Sequence, residues 1–302
     1  SSISVTSTSR ARPATEGAGV HLHRAFGFGD PERMDPFLLF DDFRGDHPRD
    51  YMAGFPWHPH RGIETITYVL AGSVDHGDSL GNRGTLKGGD VQWMTAGSGI
   101  LHQEMPKGNA KGQMHGFQLW ANLPGHLKMT KPRYQDVRSG DIPEVIDDDG
   151  TVVRVIVGEF WGKKGPVDGI AADPQYLDIF VPEGRKKTFK IDTRRHAFAY
   201  VFDGAAKFSD AARPRGVLLE KEVAGEEVNI RDLSGNRTLV EFGKGDEVTV
   251  QAGPDGVRFL LISGAPLQEP VAWHGPIVMN TRAELETAMR ELRNGTFIKP
   301  AH

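Results

Sequence analysis

Residues 67–72 read TYVLAG, and residues 199–204 read AYVFDG. The pattern GD-x5-AG then begins at Gly89 and again at Gly245. Either match alone could arise by chance, but two matches in the same order indicate two copies of one domain. The second copy has about 24 more residues between its two blocks than the first, an insertion of the kind that surface loops tolerate.

Short β-branched and aromatic segments lie on either side of these blocks, separated by turn residues that include 37 Gly and 19 Pro. The strands predicted from these segments are 63–70, 89–94, 116–121, 152–157, 177–181, 197–202, 247–250 and 257–262. Many short strands divided by turns favour an all-β sandwich or barrel.

The boundary between the copies is expected near residues 131–149, where the turn-forming strings KP and SGDIP are followed by DDDG at 147–150. The predicted division is a first domain at 1–135, a second at 136–265 and a tail at 266–302.

The tail is predicted to hold one amphipathic helix. Thr281 and Glu284 have the spacing of a capping box, and Gly295 follows the helix end. Its apolar face would be formed by Leu285, Ala288, Met289 and Leu292. We expect this face to pack back on the barrels; the alternative is a free or dimer-forming helix.

Composition excludes several classes of protein. The chain has no cysteine, which rules out disulfides, thiolate metal sites and a cysteine nucleophile. No apolar run approaches the roughly 20 residues of a membrane span, and residues 1–19 lack the apolar core of a secretory signal. The net charge of −4 does not favour nucleic-acid binding, and the basic cluster at residues 185–195 is read as a solvated face. We expect a cytoplasmic monomer.

Two His-containing pairs form the candidate metal site. His58 and His60 are two positions apart, so their side chains point to the same side of an extended strand. His102 and Glu104 have the same spacing. Three imidazoles and one carboxylate suit a divalent first-row metal. The similar pair at residues 21 and 23 is attributed to chance, because the chain contains 12 His.

These stretches resemble the two motifs of the cupin superfamily, G-x5-H-x-H-x3-4-E-x6-G and G-x5-P-x-G-x2-H-x3-N. His58, His60 and Gly72 fit the first motif, and Gly89 and Gly97 fit the second.

The chain also departs from the general cupin pattern. Thr65 rather than Glu64 stands at the usual Glu position, Thr95 replaces the Pro, and His102 comes two residues late. These departures are similar to those of one cupin subfamily, the pirins. The strings that carry the resemblance are FPWHPHRGIET at 55–65, MTAGSGILHQE at 94–104, FQLWANL at 117–123 and EPVAWHGPIVMNT at 269–281.

The resemblance implies two tandem cupin barrels of the double-stranded β-helix, or jelly-roll, type with a C-terminal helix. It also implies the metal ligands His58, His60, His102 and Glu104, with Glu64 outside the ligand set. It assigns a structural role to the HGP string at 274–276.

The repeat predicts one metal ion per chain, in the first barrel. The positions of the second copy that match the four ligands hold Lys190, Asp192, Arg258 and Leu260. These side chains do not make a metal site. Fe(II) is the expected ion, and Mn, Ni, Cu or Zn would also accept such ligands.

An open site of this kind predicts a reaction centre, with Glu104 as the general base. The resemblance implies quercetin 2,3-dioxygenase activity, in which a flavonol-like enol is cleaved with O2 and carbon monoxide is released. The alternative is a metal-dependent redox-sensing regulator that binds a transcription factor or a metabolic enzyme. The sequence does not decide between these two functions.

Further candidates are less specific. His115 is either a residue near the ligands or a structural hydrogen-bonding histidine. Side chains that either line the pocket or belong to the core are Trp93, Met94, Phe117 and Leu119.

Overall fold

The computed structural model describes residues 3–167, 169, 171–209, 220–223, 226–229 and 233–300. Part of the insertion expected in the second copy, namely residues 210–219, 224–225 and 230–232, lies outside the described residues. Among the described residues, no helix is long and apolar enough to cross a membrane.

Most of the described chain is β-strand. The strands of the first half are β1 (Val5–Arg10), β2 (Arg12–Glu16), β3 (Val20–Phe26), β4 (Phe37–Gly45), β5 (Phe55–His60), β6 (Ile63–Ala71), β7 (Ser73–Asp78), β8 (Arg83–Lys87), β9 (Val91–Thr95), β10 (Ile100–Lys107), β11 (Met114–Asn122), β12 (Arg133–Val137) and β13 (Glu144–Ile146). The later strands are β14 (Val152–Val157), β15 (Glu159–Phe160), β16 (Lys163–Lys164), β17 (Gln175–Val181), β18 (Lys186–Lys190), β19 (His196–Ser209), β20 (Glu220–Val223), β21 (Glu226–Asn229), β22 (Ser234–Gly235), β23 (Thr238–Phe242), β24 (Glu247–Gly264), β25 (Ala272–His274) and β26 (Ile277–Met279). The helices are α1 (Arg282–Asn294) and the short 3₁₀ turns Pro48–Asp50, Gly125–Leu127 and Ser139–Asp141.

The first compact unit comprises residues 12–141 and 267–302. Its larger sheet has the strand order β12-β9-β6-β11-β4-β3-β2, and its smaller sheet has the order β5-β10-β7-β8. Val74 and Leu86 of the smaller sheet share an apolar cluster with Leu22, Phe43 and Val69 of the larger sheet. The two sheets therefore enclose a common interior, as expected for a cupin barrel.

The second compact unit comprises residues 1–11 and 142–266. Its sheet follows the order β1-β23-β19-β24-β17-β14-β13, with β18 joined to β24 and β22 joined to β19. The strands predicted at 247–250 and 257–262 are parts of the single strand β24, which pairs with β19 along most of its length. The all-β fold with two cupin barrels and a C-terminal helix is confirmed.

The first strand of the chain belongs to the second barrel. β1 pairs antiparallel with β23, with Ser9 opposite Leu239, and forms the edge of the sheet. This arrangement differs from the predicted division, which placed residues 1–11 with the first copy. The reason is that the side-chain pattern of β1 does not specify which sheet edge it will join.

The repeated motif ends in a glycine in both barrels for the same steric reason. Gly72 has φ 77° and Gly204 has φ 65°. A Cβ atom at Gly72 would lie 2.4 Å from the carbonyl oxygen of Lys107, and one at Gly204 would lie 2.1 Å from that of Gly256. Only glycine fits both the left-handed backbone and the close approach.

The tail forms part of the first unit. The Thr281 hydroxyl and the Glu284 carboxylate form the predicted capping box of α1, and Gly295 ends the helix in the left-handed conformation. Ala288 is buried against Ile277 and Phe297. The apolar side of the helix therefore covers strand β26 and the chain that follows the helix.

Candidate metal centre

Strands β5 and β10 bring three histidines together. β5 is the edge strand of the smaller sheet, a position that tolerates its two prolines because their nitrogens have no hydrogen to donate to a neighbouring strand. His58 and His60 point to one side of β5, and His102 lies directly opposite His58 on β10.

The ring nitrogens of the three histidines converge. Nε2 of His102 lies 2.7 Å from Nε2 of His58 and 3.0 Å from Nε2 of His60. The ligand atoms all lie within 4.8 Å of one another. Nδ1 of His58 lies 2.7 Å from the carbonyl oxygen of Pro56, where it can donate a hydrogen bond. That bond directs the Nε2 lone pair of His58 toward the other two rings.

Burial keeps two of these rings neutral. His60 is 2% exposed and His102 is 1% exposed. Burial, together with the neighbouring histidine charges, holds the pKa of both imidazoles well below the usual value. Neutral imidazoles are the form that binds metals, so the three residues suit a divalent ion.

Glu104 lies near the histidines without joining the group of three. A bulge in β5 between Phe55 and His58 places Glu104 opposite Phe55. Its Oε1 accepts a hydrogen bond from the Thr67 hydroxyl at 3.2 Å, and Gln118 Nε2 donates to its two oxygens at 3.4 and 3.3 Å. The carboxylate is therefore held by side chains of β6 and β11, two strands of the larger sheet.

Glu64 has a different environment. Its Oε2 accepts hydrogen bonds from Trp93 Nε1 and Thr95 Oγ1, both at 2.8 Å. These buried contacts engage Oε2, and Glu64 is not a member of the group formed by the three histidines.

A cavity of about 400 Å³ opens onto the site. This volume lies in the range of pockets that bind small molecules. The residues that line it are Glu16, Gly17, Ala18, Arg24, Phe28, Asp41, Phe55, Pro56, Trp57, His58, His60, Glu104, Gln118, Trp120, Gly275 and Pro276.

Comparison with known proteins identifies the family. The Pirin family model matches residues 19–121, and the model of the pirin C-terminal cupin domain matches residues 176–298. The chain belongs to the pirin family.

Relatives match this pirin over nearly their full lengths. A pirin-like protein of Caulobacter vibrioides is 41% identical over 289 residues, which are 95% of this chain and 96% of the relative. Pirin of Homo sapiens is 40% identical over 296 residues, covering 97% and 93% of the two chains. A crystal structure of quercetin 2,3-dioxygenase from Acinetobacter baumannii has a TM-score of 0.84 and 31% identity, covering 98% and 99% of the two chains.

The matching positions in the second barrel of this pirin have other roles. Leu260 is fully buried in the sheet, and Arg258 pairs with Asp178 at 2.7 Å. Asp192 pairs with Arg194 at 2.7 Å, and Lys190 is exposed on β18. In the described part of the chain, the three histidines form the only group that could hold a metal.

The weaker candidates lie outside the cavity lining. The ring of His115 is hydrogen-bonded to Asp42 at 3.1 Å and packs on Phe117, which fits a structural histidine. Burial raises the pKa of Asp42, but His115 and Arg44 outweigh this effect and hold it well below the usual value. The four residues predicted to line the pocket or belong to the core are all buried and do not line the cavity: Trp93, Met94, Phe117 and Leu119.

Several cavity residues were not foreseen from the sequence. Gln118 occurs in the string FQLWANL, but its contact with Glu104 depends on strand register. Trp57 precedes His58 and lines the cavity. Gly275 and Pro276, read as purely structural, also line the cavity because the turn between β25 and β26 lies beside the site.

Proposed function

We propose that this protein is a metal-dependent dioxygenase of the quercetin 2,3-dioxygenase type. The observation that carries the proposal is the set of three convergent imidazoles beside a cavity large enough for a flavonol. A carboxylate, Glu104, lines the same cavity. This combination fits a reaction centre better than a closed structural metal site.

The donor set fits the proposed metal. His58, His60 and His102 would hold it through their Nε2 atoms, and Glu104 would complete the set. Three neutral nitrogens with one anionic oxygen suit Fe(II) as well as Mn, Ni, Cu or Zn. Four protein ligands do not fill the coordination sphere of a six-coordinate metal, so a substrate can also bind.

The protein side chains would manage the proton of the reaction. A bound metal ion would supply Lewis acidity toward the enol oxygen and a route for electrons to O2. A carboxylate oxygen of Glu104 would take the enol proton, while Thr67 and Gln118 orient the carboxylate. The overall reaction adds both atoms of O2 to the flavonol, opens its heterocycle and releases one carbon of the substrate as carbon monoxide.

The activity of a structural relative supports this choice. The dioxygenase from Acinetobacter baumannii aligns with nearly all of the chain. Retention of its activity here would require the ligands and the base to lie beside one cavity, as His58, His60 and Glu104 do.

The test is oxygen-dependent turnover of quercetin by protein carrying its native metal. We expect one O2 consumed and one carbon monoxide released per quercetin, and no turnover without oxygen. Glu104→Gln, with metal content matched by elemental analysis, should abolish turnover. Metal-loaded protein that binds quercetin without consuming O2 would contradict the proposal and favour the regulatory alternative.

A further inference from the structure

Two large aromatic side chains stand exposed beside the cavity. Trp57 is 54% exposed and Phe28 is 48% exposed, and both line the cavity that contains His58 and His60. Exposed aromatic surface at a pocket is typical of a ligand-binding face.

Phe28 is fixed in place despite its exposure. Its ring centre lies 5.0 Å from that of Trp273 and 5.9 Å from that of Trp120. Its φ of 52° is unusual for a residue with a side chain and carries a conformational cost. The aromatic packing offsets this cost and presents the ring to the cavity.

The cavity also has a fixed, charged group. Arg24 donates to both oxygens of Asp41, from Nε and Nη2, each at 2.8 Å. The same guanidinium bonds Glu16 at 2.9 Å and lies 4.9 Å from the ring centre of Phe28. Asp41 therefore sits in one defined orientation at the cavity wall.

Asp41 has free capacity to accept another hydrogen bond. Each carboxylate oxygen offers two lone pairs, and each accepts one bond from Arg24. Burial raises the pKa of Asp41 to about 6, and Arg24 only partly offsets the rise. The group is thus mainly an anionic acceptor at neutral pH. Glu16, the other carboxylate that Arg24 contacts, is more exposed. It would therefore distinguish less strongly between ligands with and without a hydroxyl group at this position.

We propose that Asp41, oriented by Arg24, is a specificity-determining residue that accepts a hydrogen bond from a hydroxyl group other than the one that binds the metal. Trp57 and Phe28 stack on the ring planes of the same ligand. The preferred substrate is therefore a planar, polyhydroxylated aromatic enol. This assignment rests on the proposed function.

The test compares two flavonols under anaerobic conditions, where binding occurs without turnover. Quercetin carries several hydroxyls, whereas 3-hydroxyflavone carries only the enol hydroxyl. Dissociation constants are measured from the absorbance change of each flavonol on titration with the protein as purified. We expect the wild type to prefer quercetin by tenfold or more, roughly the value of one charge-assisted hydrogen bond.

Asp41→Asn should remove most of this preference and leave the affinity for 3-hydroxyflavone unchanged. Trp57→Ala should weaken the binding of both flavonols by a similar factor, because stacking does not depend on the hydroxyl pattern. The matched controls are Asp75→Asn and Trp161→Ala, which lie outside the cavity lining and should change neither constant. Thermal unfolding checks that each variant is folded, and Arg24→Lys provides a second variant that should reduce the preference.

The outcomes separate the two proposals. If quercetin is preferred and neither Asp41→Asn nor Arg24→Lys changes the preference, the assignment of Asp41 is wrong while the proposed function stands. If the wild type binds neither flavonol, both proposals are wrong. If binding follows the expected pattern but no O2 is consumed aerobically, the specificity site stands and the dioxygenase activity fails.

Discussion

The second barrel buries a large apolar cluster, which includes Phe189, Phe259 and Leu261. The described residues of the first barrel include two smaller apolar clusters, around Val69 and around Met94. Its buried polar and charged side chains include His60, Glu64, Thr67, His76, Asp78, His102 and Glu104. Buried polar groups cost free energy unless they are hydrogen-bonded, so the candidate site in the first barrel carries a cost that an apolar cluster does not.

The largest effect is expected when one ligand is removed. His58→Ala should lower metal affinity by more than about 100-fold, because two imidazoles and one carboxylate remain. The matched change in the second barrel is Lys190→Ala, which should leave the metal content unchanged. Elemental analysis after dialysis measures both. Equal metal loss in the two variants would remove the functional contrast between the barrels.

The second barrel should respond most strongly to loss of apolar volume. Phe259→Ala empties the centre of its core and should lower the free energy of unfolding by about 3–5 kcal/mol. Because no proposed ligand lies in that barrel, metal content at low temperature should stay the same. Urea unfolding and elemental analysis provide the two measurements. A loss of metal without a loss of stability would contradict this division of roles.

The repeated glycines should behave alike in the two barrels. Gly72→Ala and Gly204→Ala each force a Cβ against a backbone carbonyl, so we expect each to cost about 2 kcal/mol or more. Gly81→Ala is the control, since Gly81 has φ 87° but no atom within 4 Å of the added Cβ. Its cost should be about 1 kcal/mol. Thermal unfolding compares the three variants, and a large effect in one barrel only would contradict the shared constraint.

The smallest effect concerns Lys128, which is buried in the first barrel. Its Nζ donates to the carbonyl oxygens of Gly62 and Val278 and to the Asn122 side chain. Burial lowers its pKa from 10.5 to about 7. Between these values the unfolded chain binds more protons than the folded chain, so this residue makes stability rise with pH.

The expected slope is about 1 kcal/mol per pH unit between pH 7 and 10. Lys128→Met lacks the titrating group and the three hydrogen bonds. It should be less stable than the wild type, by a margin that widens as pH rises. Urea unfolding of both proteins at several pH values measures this margin. A constant margin would show that Lys128 does not titrate in that range.

Local pattern placed all eight predicted segments in strands, since each is a short apolar segment between turn residues. These segments lie in β6, β9, β11, β14, β17, β19 and β24, and the remaining strands were not predicted. Local pattern failed within β24, where Gly253, Pro254 and Gly256 signal a turn. Pairing with β19 on both sides of this point keeps the strand continuous. Such tertiary pairing is not encoded in the nearby residues, and the same reason explains why β1 was placed with the wrong neighbours.

The candidate site was predictable where it depends on spacing. The two-residue interval in His58-Pro59-His60 places both rings on one side of β5. The bulge in β5 and the contact of Gln118 with Glu104 depend on the register of separate strands. Phe28, Asp41 and Trp57, which line the cavity, likewise come from separate segments of the chain. Their residue types alone do not indicate that they lie beside the same cavity.

Each compact unit is assembled from two separate pieces of chain. Residues 1–11 join the second unit, and residues 267–302 join the first. During synthesis, β1 leaves the ribosome long before its partner β23 exists. The first barrel in turn waits for α1, whose Glu291 pairs at 2.7 Å with Arg61, the residue after His60. Neither barrel can therefore complete its folding until most of the other has been translated. Dividing the chain at any single point would not yield two intact barrels.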